Sequence, residues 1–307
     1  MVDLPPQSRA PGPLGATPGS GGTRSPGPLG FTPGIYLAPA QSAGLAKLSG
    51  SAKQFRMPPP ASDDITKLAR NVKWTLFTGK GTPALEDVKQ GSLANCPLAS
   101  LLAALAFTAT GQRHLLSLIT EHKATVETDL SGVADQLAEK IDRIITGRYF
   151  TVRLKSQSFE VSSVLYTDEA RDPNPIYMTS PKQALWPCLI ERAFAEKVGS
   201  YNELDDPNKL TANAVWEVVV GSSPDGFAVT GQTPDSTIQE AARNARRVPA
   251  IAASKEEAAD VTAWHGFAVL GMRGTRIELY DPSSARRETL SLAAFRKNFL
   301  AVLHGKG

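Results

Sequence analysis

Residues 90–97 read Gln90-Gly-Ser-Leu-Ala-Asn-Cys96-Pro97, and the stretch that follows, Pro97 to Thr110 (PLASLLAALAFTAT), is apolar nearly all round. Such a segment is a buried helix, since an amphipathic surface helix would carry a polar stripe. Pro97 has the fixed φ and missing N–H that suit the start of a helix, which predicts Cys96 as the cap residue at the positive end of the helix dipole. A cysteine at that position is favoured as thiolate and is a candidate nucleophile. The second cysteine, Cys188, falls inside an apolar segment and is expected to be a packed thiol.

Working outward, Gln112 to His122 is expected to continue helical after a break at Gly111, and Val133 to Thr146 reads as a further amphipathic helix. Tyr149 to Leu154, Phe159 to Tyr166, Val215 to Val220, His265 to Gly271 and Arg276 to Tyr280 are rich in Val, Ile, Phe and Tyr and read as strands. Helices come first and most strands later, so an α+β fold is favoured over βαβ alternation. His265 opens the strand HGFAVLG, and a hairpin turning at Arg273-Gly274 would return the chain so that Asp281 lies beside it. A thiolate needs a base, and the base needs a partner that holds its tautomer. Cys96, His265 and Asp281 in that order fit a papain-like arrangement. His114 and His122 are expected on the early helix in surface or satisfied core roles, and His304 is expected to be exposed.

Residues 1–60 differ in kind, holding 12 of the 23 prolines and 10 of the 25 glycines, a density at which neither helix nor sheet propagates. They read as a disordered arm ahead of a core spanning residues 61–307. The arm carries five basic residues and one acidic. It also repeats itself: Pro11 to Gly19 reads PGPLGATPG and Pro26 to Gly34 reads PGPLGFTPG. One reading is drift in low-complexity sequence. The other is a duplicated docking signal in which Leu14 and Leu29 are apolar anchors in a proline-stiffened frame, recognised by a carrier, secretion apparatus or protein shell.

Two cysteines 92 positions apart and four histidines give no metal-cluster spacing. A net charge of +3 is too small to argue for nucleic acid or an anionic membrane as partner. No apolar run approaches the roughly 18 residues of a spanning helix, and no apolar leader core opens the chain. The expectation is synthesis in the cytoplasm without a general secretory signal, with any delivery or encapsulation left to a specialised system.

Three segments resemble the catalytic core of calpain-type cysteine peptidases. DVKQGSLANCPLASLLAALA is similar to the family's QGxLGDCWxLAAxAxL block, and ALWPCLIERAFAEKVGSYNEL to its tryptophan-to-GSY block, with Trp186, Glu191, Ala193, Ala195, Gly199, Ser200, Tyr201 and Leu204 in step. WHGFAVLG followed by ELYDP resembles its GHAYxV and L-x-N-P-W-G block, and Leu290 to Phe299 resembles the sequence that closes that core. The resemblance implies a papain-like fold with a helical nucleophile subdomain and an antiparallel-sheet histidine subdomain. It also implies a cysteine endopeptidase acting on proteins or peptides. Gln90 would donate its side-chain amide to the oxyanion beside the Cys96 N–H, Cys96 would attack, and His265 would shuttle the proton. Asp281 stands where the family carries Asn.

The departures from the family are local. Pro97 replaces the tryptophan after the nucleophile, and Ser283-Ser284 replaces the Trp-Gly after the Asn-Pro pair; Trp264 is the candidate substitute for the missing indole. Of two acidic positions that help animal calpains bind calcium, the chain keeps Asp87, a weak ligand candidate, but has Ala184 at the other. No EF-hand loop is present, so no cofactor is implied and calcium dependence is not expected. The Asp63-Asp64 and Asp205-Asp206 pairs read as solvated loop residues. The same three groups would also serve a deamidase, a transglutaminase-like enzyme or a cell-wall peptidase, and the missing tryptophans leave room for a degenerate, non-catalytic binding protein.

Overall fold

In the computed structural model the apolar run after Cys96 is helical, as its composition predicts. The structure describes residues 54–61, 68–130, 144–167, 174–206 and 210–306. Two short strands, β1 (Gln54–Arg56) and β2 (Leu68–Asn71), and a 3-10 turn (Leu85–Asp87) precede α1 (Cys96–Phe107). Leu98, Leu101, Leu102 and Leu105 of α1 are all buried. Each such side chain is worth about 1.5–3 kcal/mol of burial, so the packing of α1 fixes the position of its first residue.

The break in the helical region falls at Thr108, not Gly111. Thr108 is extended and its hydroxyl accepts from the Gly111 N–H (3.1 Å), capping α2 (Ala109–Leu118). The expected helix through His122 stops at Leu118, because Ile119 opens β3 (Ile119–Asp129), a run rich in β-branched residues. Residues 133–143 of the helix read over Val133 to Thr146 lie outside the described residues, and Ile144 to Thr146 belong to β4 (Ile144–Leu154). The strand read over Phe159 to Tyr166 is two strands, β5 (Gln157–Ser162) and β6 (Val164–Thr167), divided at Ser163. There the Ser163 hydroxyl accepts from Arg148 N–H and donates to Asn71.

Next come α3 (Trp186–Val198), with Pro187 in its first turn, α4 (Tyr201–Leu204) and α5 (Ala212–Val220). The strand expected over Val215 to Val220 is therefore a helix. Three consecutive valines suggested β structure, but Ala212, Val215, Trp216 and Val219 are buried at helical spacing, and Thr211 caps the helix by accepting from Ala214 N–H. The remainder is β7 (Asp225–Ala228), α6 (Asp235–Asn244), β8 (Ala250–Ser254), β9 (Gly266–Arg273), β10 (Arg276–Asp281), β11 (Arg286–Ser291), α7 (Leu292–Asn298) and β12 (Phe299–His304).

The α+β reading holds. Strands β7 to β12 form a six-stranded antiparallel sheet in the order β11-β10-β9-β8-β12-β7. One of its faces is closed by α6 and α7 over Phe267, Phe295 and Phe299, whose rings pack at 4.3–5.3 Å. Helix α1 lies against β8 and β9 of the same sheet. The part around α1 is not purely helical: a four-stranded sheet, β1-β3-β4-β5, and the β2-β6 pair share its core with α1, α3 and α5.

Residues 54–60, placed with the arm by composition, pack with the core. Strand β1 pairs in parallel with β3, and Met57 and Ala61 are buried. Tyr166 donates its hydroxyl to Pro58 O, Tyr201 its N–H to Pro59 O, and Ala61 its N–H to the Tyr177 hydroxyl. Residues 1–53, with Leu14, Leu29 and the repeat, lie outside the described residues, as does the Asp63-Asp64 pair.

Candidate active site

The loop leading to α1 is held on both sides. Lys89 exchanges backbone hydrogen bonds with Thr179, Gln90 N–H donates to Pro282 O (2.9 Å) and Ser92 N–H to Ile176 O (2.9 Å). At Gly91 a Cβ would fall 1.7 Å from Tyr177 O, so only glycine admits this close approach. Ala94 N–H donates to Asp205 (2.7 Å), which therefore braces the loop and is not simply solvated as expected. The N-cap of α1 is Asn95, one residue earlier than predicted, and Cys96 is the first helical residue with Pro97 second. Asn95 does not cap with its side chain; its amide donates instead to the buried Glu191 (2.6 Å). Glu191 also accepts from Met178 N–H (2.7 Å), and burial still pushes its carboxyl up to about 8.

His265 sits just ahead of β9. Its N–H donates to the Ser254 hydroxyl (2.8 Å), its carbonyl accepts from Ser254 N–H (2.9 Å), and Phe267 stands edge-on to its ring. A Cβ on Gly266 would meet Ser100 Oγ at 2.9 Å and Cys96 O at 3.1 Å, so this glycine lets the start of β9 approach the start of α1 closely.

Strand β10 returns from a two-residue turn, Gly274-Thr275, one position later than predicted. The ladder does not run regularly: Glu278 faces Gly271, but Leu279 faces Val269, leaving Leu270 as a bulge. The shift turns Asp281 onto the face that carries His265. Asp281 Oδ1 lies 2.9 Å from His265 Nε2, and because a carboxylate only accepts, that nitrogen carries the proton. Nδ1 is the nitrogen left for the Cys96 thiol, which stands close enough to the ring to act on its proton. Burial works against the imidazolium, but the hydrogen bond to Asp281, the neighbouring Cys96 sulfur and the negative charge of both raise His265 to about 9. Burial would raise Asp281 too, yet the bonds from His265 and Ser283 hold it well below the usual carboxylate range. Cys96, His265 and Asp281 are 6%, 6% and 3% exposed, so all three are largely shielded from water.

Two further links lock the site: Tyr280 donates its hydroxyl to Val88 O (2.7 Å), and the Gln90 to Pro282 bond joins the loop before Cys96 to the end of β10. Gln90 Nε2 donates to Leu93 O (2.6 Å), which leaves its second amide hydrogen free for another acceptor. Its Oε1 is buried with no partner among the described residues. Trp264, read as a substitute indole, adopts φ 50 and donates its backbone N–H to Lys255 O, and Asp281 is met by the Ser283 and Ser284 hydroxyls.

The remaining candidates lie elsewhere. Asp87 is fully buried, and its oxygens accept from Thr78 Oγ1, Ala84 N–H and Trp186 Nε1 at 2.8–2.9 Å. It is spent on fixing α3 and does not face outward as an ion ligand. Among the described residues no group of three or more His, Cys, Asp or Glu could hold a metal ion, and no helix is long and apolar enough to cross a membrane. Cys188 is buried and donates to Met178 O. His114 reaches Val219 O from α2, His122 stacks on Tyr149 from β3, and His304 is partly buried on β12.

A model of the calpain family of cysteine proteases matches residues 62–275. The chain belongs to this family. The matched residues of this calpain-family protein include Gln90, Cys96 and His265 but stop before Asp281, which the hairpin pattern had pointed to, and before Ser283 and Ser284, which only the geometry adds. No curated protein matches the chain. Serines 254, 283 and 284 escaped sequence reading because a serine carries no signal of which distant group its hydroxyl meets. Asn95 and Glu191 stand 96 positions apart, and only the fold joins them.

Proposed function

We propose that this calpain-family cysteine protease is an endopeptidase that works through a Cys96 thiolate and a His265 imidazolium, with Asp281 orienting the imidazole. The observation that carries the reading is the buried His265 ring, held by Asp281 at 2.9 Å, beside Cys96 at the start of a buried helix. The thiolate attacks the peptide carbonyl, and the oxyanion is met by the Cys96 N–H, unpaired within the first helical turn, and by the free hydrogen of Gln90 Nε2. His265 then gives its proton to the leaving amine, and a water, deprotonated by the neutral imidazole, releases the acyl group. The part around α1 and the six-stranded sheet act as the two walls of a papain-like cleft. With Asp87 engaged by protein donors and Ala184 unable to coordinate, the reaction is read as calcium-independent.

Residues 1–53 are read as a recognition arm, because a segment so poor in apolar surface acts through short peptides read by another protein. The test of the enzymatic reading is digestion of a denatured-protein mixture by wild type and Cys96→Ala, with new termini read by mass spectrometry. Internal cleavages present only with wild type support an endopeptidase; their absence, or amide-to-acid conversion in their place, rejects it.

A further inference from the structure

Asp281 receives more donors than orientation of an imidazole requires. Its Oδ1 accepts from His265 Nε2 (2.9 Å), Ser283 N–H (2.8 Å) and Ser283 Oγ–H (2.7 Å), and its Oδ2 accepts from Ser284 Oγ–H (2.9 Å). Pro282 between them cannot donate, and its carbonyl is taken by Gln90 N–H, so the turn after β10 is pinned with both serine side chains folded back on the carboxylate. A carboxylate has a freely placed negative charge and two equivalent acceptors, and nothing in its own chemistry chooses which oxygen faces the imidazole. Neutral donors to one oxygen pair remove that freedom, and they hold the group ionised without adding a second positive charge beside His265.

We infer that Ser283 and Ser284 are positioning residues for the reaction, holding Asp281 ionised and aimed at His265. The inference rests on the roles of Cys96, His265 and Asp281 proposed above. Both serines are exposed at the surface, so their hydroxyls serve no core packing, and alanine at either position is expected to leave the fold intact.

The test compares wild type, Ser283→Ala/Ser284→Ala and Ser283→Thr/Ser284→Thr, each also combined with Asp281→Ala. It reads kcat and KM on a peptide substrate, and the pH dependence of Cys96 alkylation by iodoacetamide. The alanine pair is expected to lower kcat about tenfold, the size of losing a hydrogen bond to a charged group, with KM within about threefold. It is also expected to move the acid limb of the alkylation profile to higher pH, because a carboxylate stripped of donors takes up its proton sooner. The threonine pair keeps both hydroxyls and is expected to restore most of kcat and the original limb. In the Asp281→Ala background the serine changes are expected to cost nothing more, since they act through that carboxylate. A folded alanine pair with unchanged kcat and an unmoved limb overturns the inference, as does full additivity with Asp281→Ala. Should the pair lose its cooperative melt, the single alanine variants decide by the same limb. If wild-type Cys96 alkylates no faster than an ordinary thiol, the parent reading fails and this inference falls with it; activated alkylation with no serine effect sinks the inference alone.

Discussion

Asp281 and His265 share one face of the six-stranded sheet because the β9-β10 ladder slips by one residue between Glu278 and Leu279. Side chains alternate along a strand, so continuing the register set by Arg276 and Arg273 would pair Asp281 with Ala268 and turn its carboxylate to the opposite face from His265. The bulge pairs Tyr280 with Ala268 instead, and the carboxylate comes within 2.9 Å of the ring. The position of a single unpaired residue, Leu270, thus decides whether the carboxylate meets the imidazole.

The first consequence concerns Asp281 itself. Asn at this position can still accept from His265 through its carbonyl, while its amide nitrogen meets Ser284 Oγ, which can reverse to accept. Asp281→Asn is expected to lose about tenfold in kcat/KM and Asp281→Ala about a hundredfold, within the usual range for a positioned acid–base system. Steady-state kinetics on one peptide substrate checks the order, and a reversed order would remove Asp281 from the site.

The two cysteines are expected to separate cleanly. Cys96→Ala abolishes turnover, whereas Cys188→Ala leaves kcat within a few-fold and costs about 1–2 kcal/mol of stability through the small cavity it leaves. Burial pushes the Cys188 thiol well above its ordinary value, so native protein treated with iodoacetamide should carry label at Cys96 alone, as peptide mapping would reveal.

The pH dependence follows from His265. Its proton is held to about 9, above the ordinary value of 6.5, so kcat/KM is expected to fall on the alkaline side with a midpoint near 9 as the imidazolium is lost. The same shift stabilises the fold, fully below about 6.5 and progressively less as pH rises through 9, since the folded state binds the proton more tightly. The Tm gap between wild type and His265→Ala should therefore shrink from pH 6.5 to pH 9.5; a gap that widens contradicts the assignment. Asp281, held low, contributes in the opposite sense: its share is present above about 4 and is lost in acid.

Gln90→Ala is expected to lower kcat by about 10² to 10³, the usual cost of one oxyanion donor, with KM changed little. Because Gln90 N–H anchors the loop through Pro282 O by its backbone, the substitution spares that bond and should leave the melting curve near wild type. A wild-type kcat would show that the oxyanion is held by other donors.

For the arm, the cut must be made ahead of β1. A chain beginning at Gly50 is expected to keep wild-type specific activity. One beginning at Ser62 loses the β1-β3 pairing and the bonds to Tyr166, Tyr177 and Tyr201, and should melt several degrees lower. Differential scanning calorimetry of the two truncations checks this, and equal melting would mean that residues 54–61 add nothing to the core.

The sequence by itself determined the α+β class, the buried helix behind Cys96, the hairpin that carries His265 and Asp281, and the family. These follow from local pattern: an apolar run without a polar stripe, β-branched strands around a glycine turn, and residue types at fixed spacing. It misread Val215 to Val220, where consecutive valines look like a strand until helical spacing of the buried positions is seen. It also placed residues 54–60 with the arm, because proline content hides that Met57 and Ala61 are buried against distant tyrosines. The tertiary structure alone decided the bulge at Leu270, the pairing of Asn95 with Glu191, the bracing of Ala94 by Asp205 and the hydroxyls on Asp281. Most of these partners stand far apart in the chain, and even the near ones depend on side-chain direction. The periodicities of a sequence record which residues share a face of one element, but not which atom of another element that face will meet.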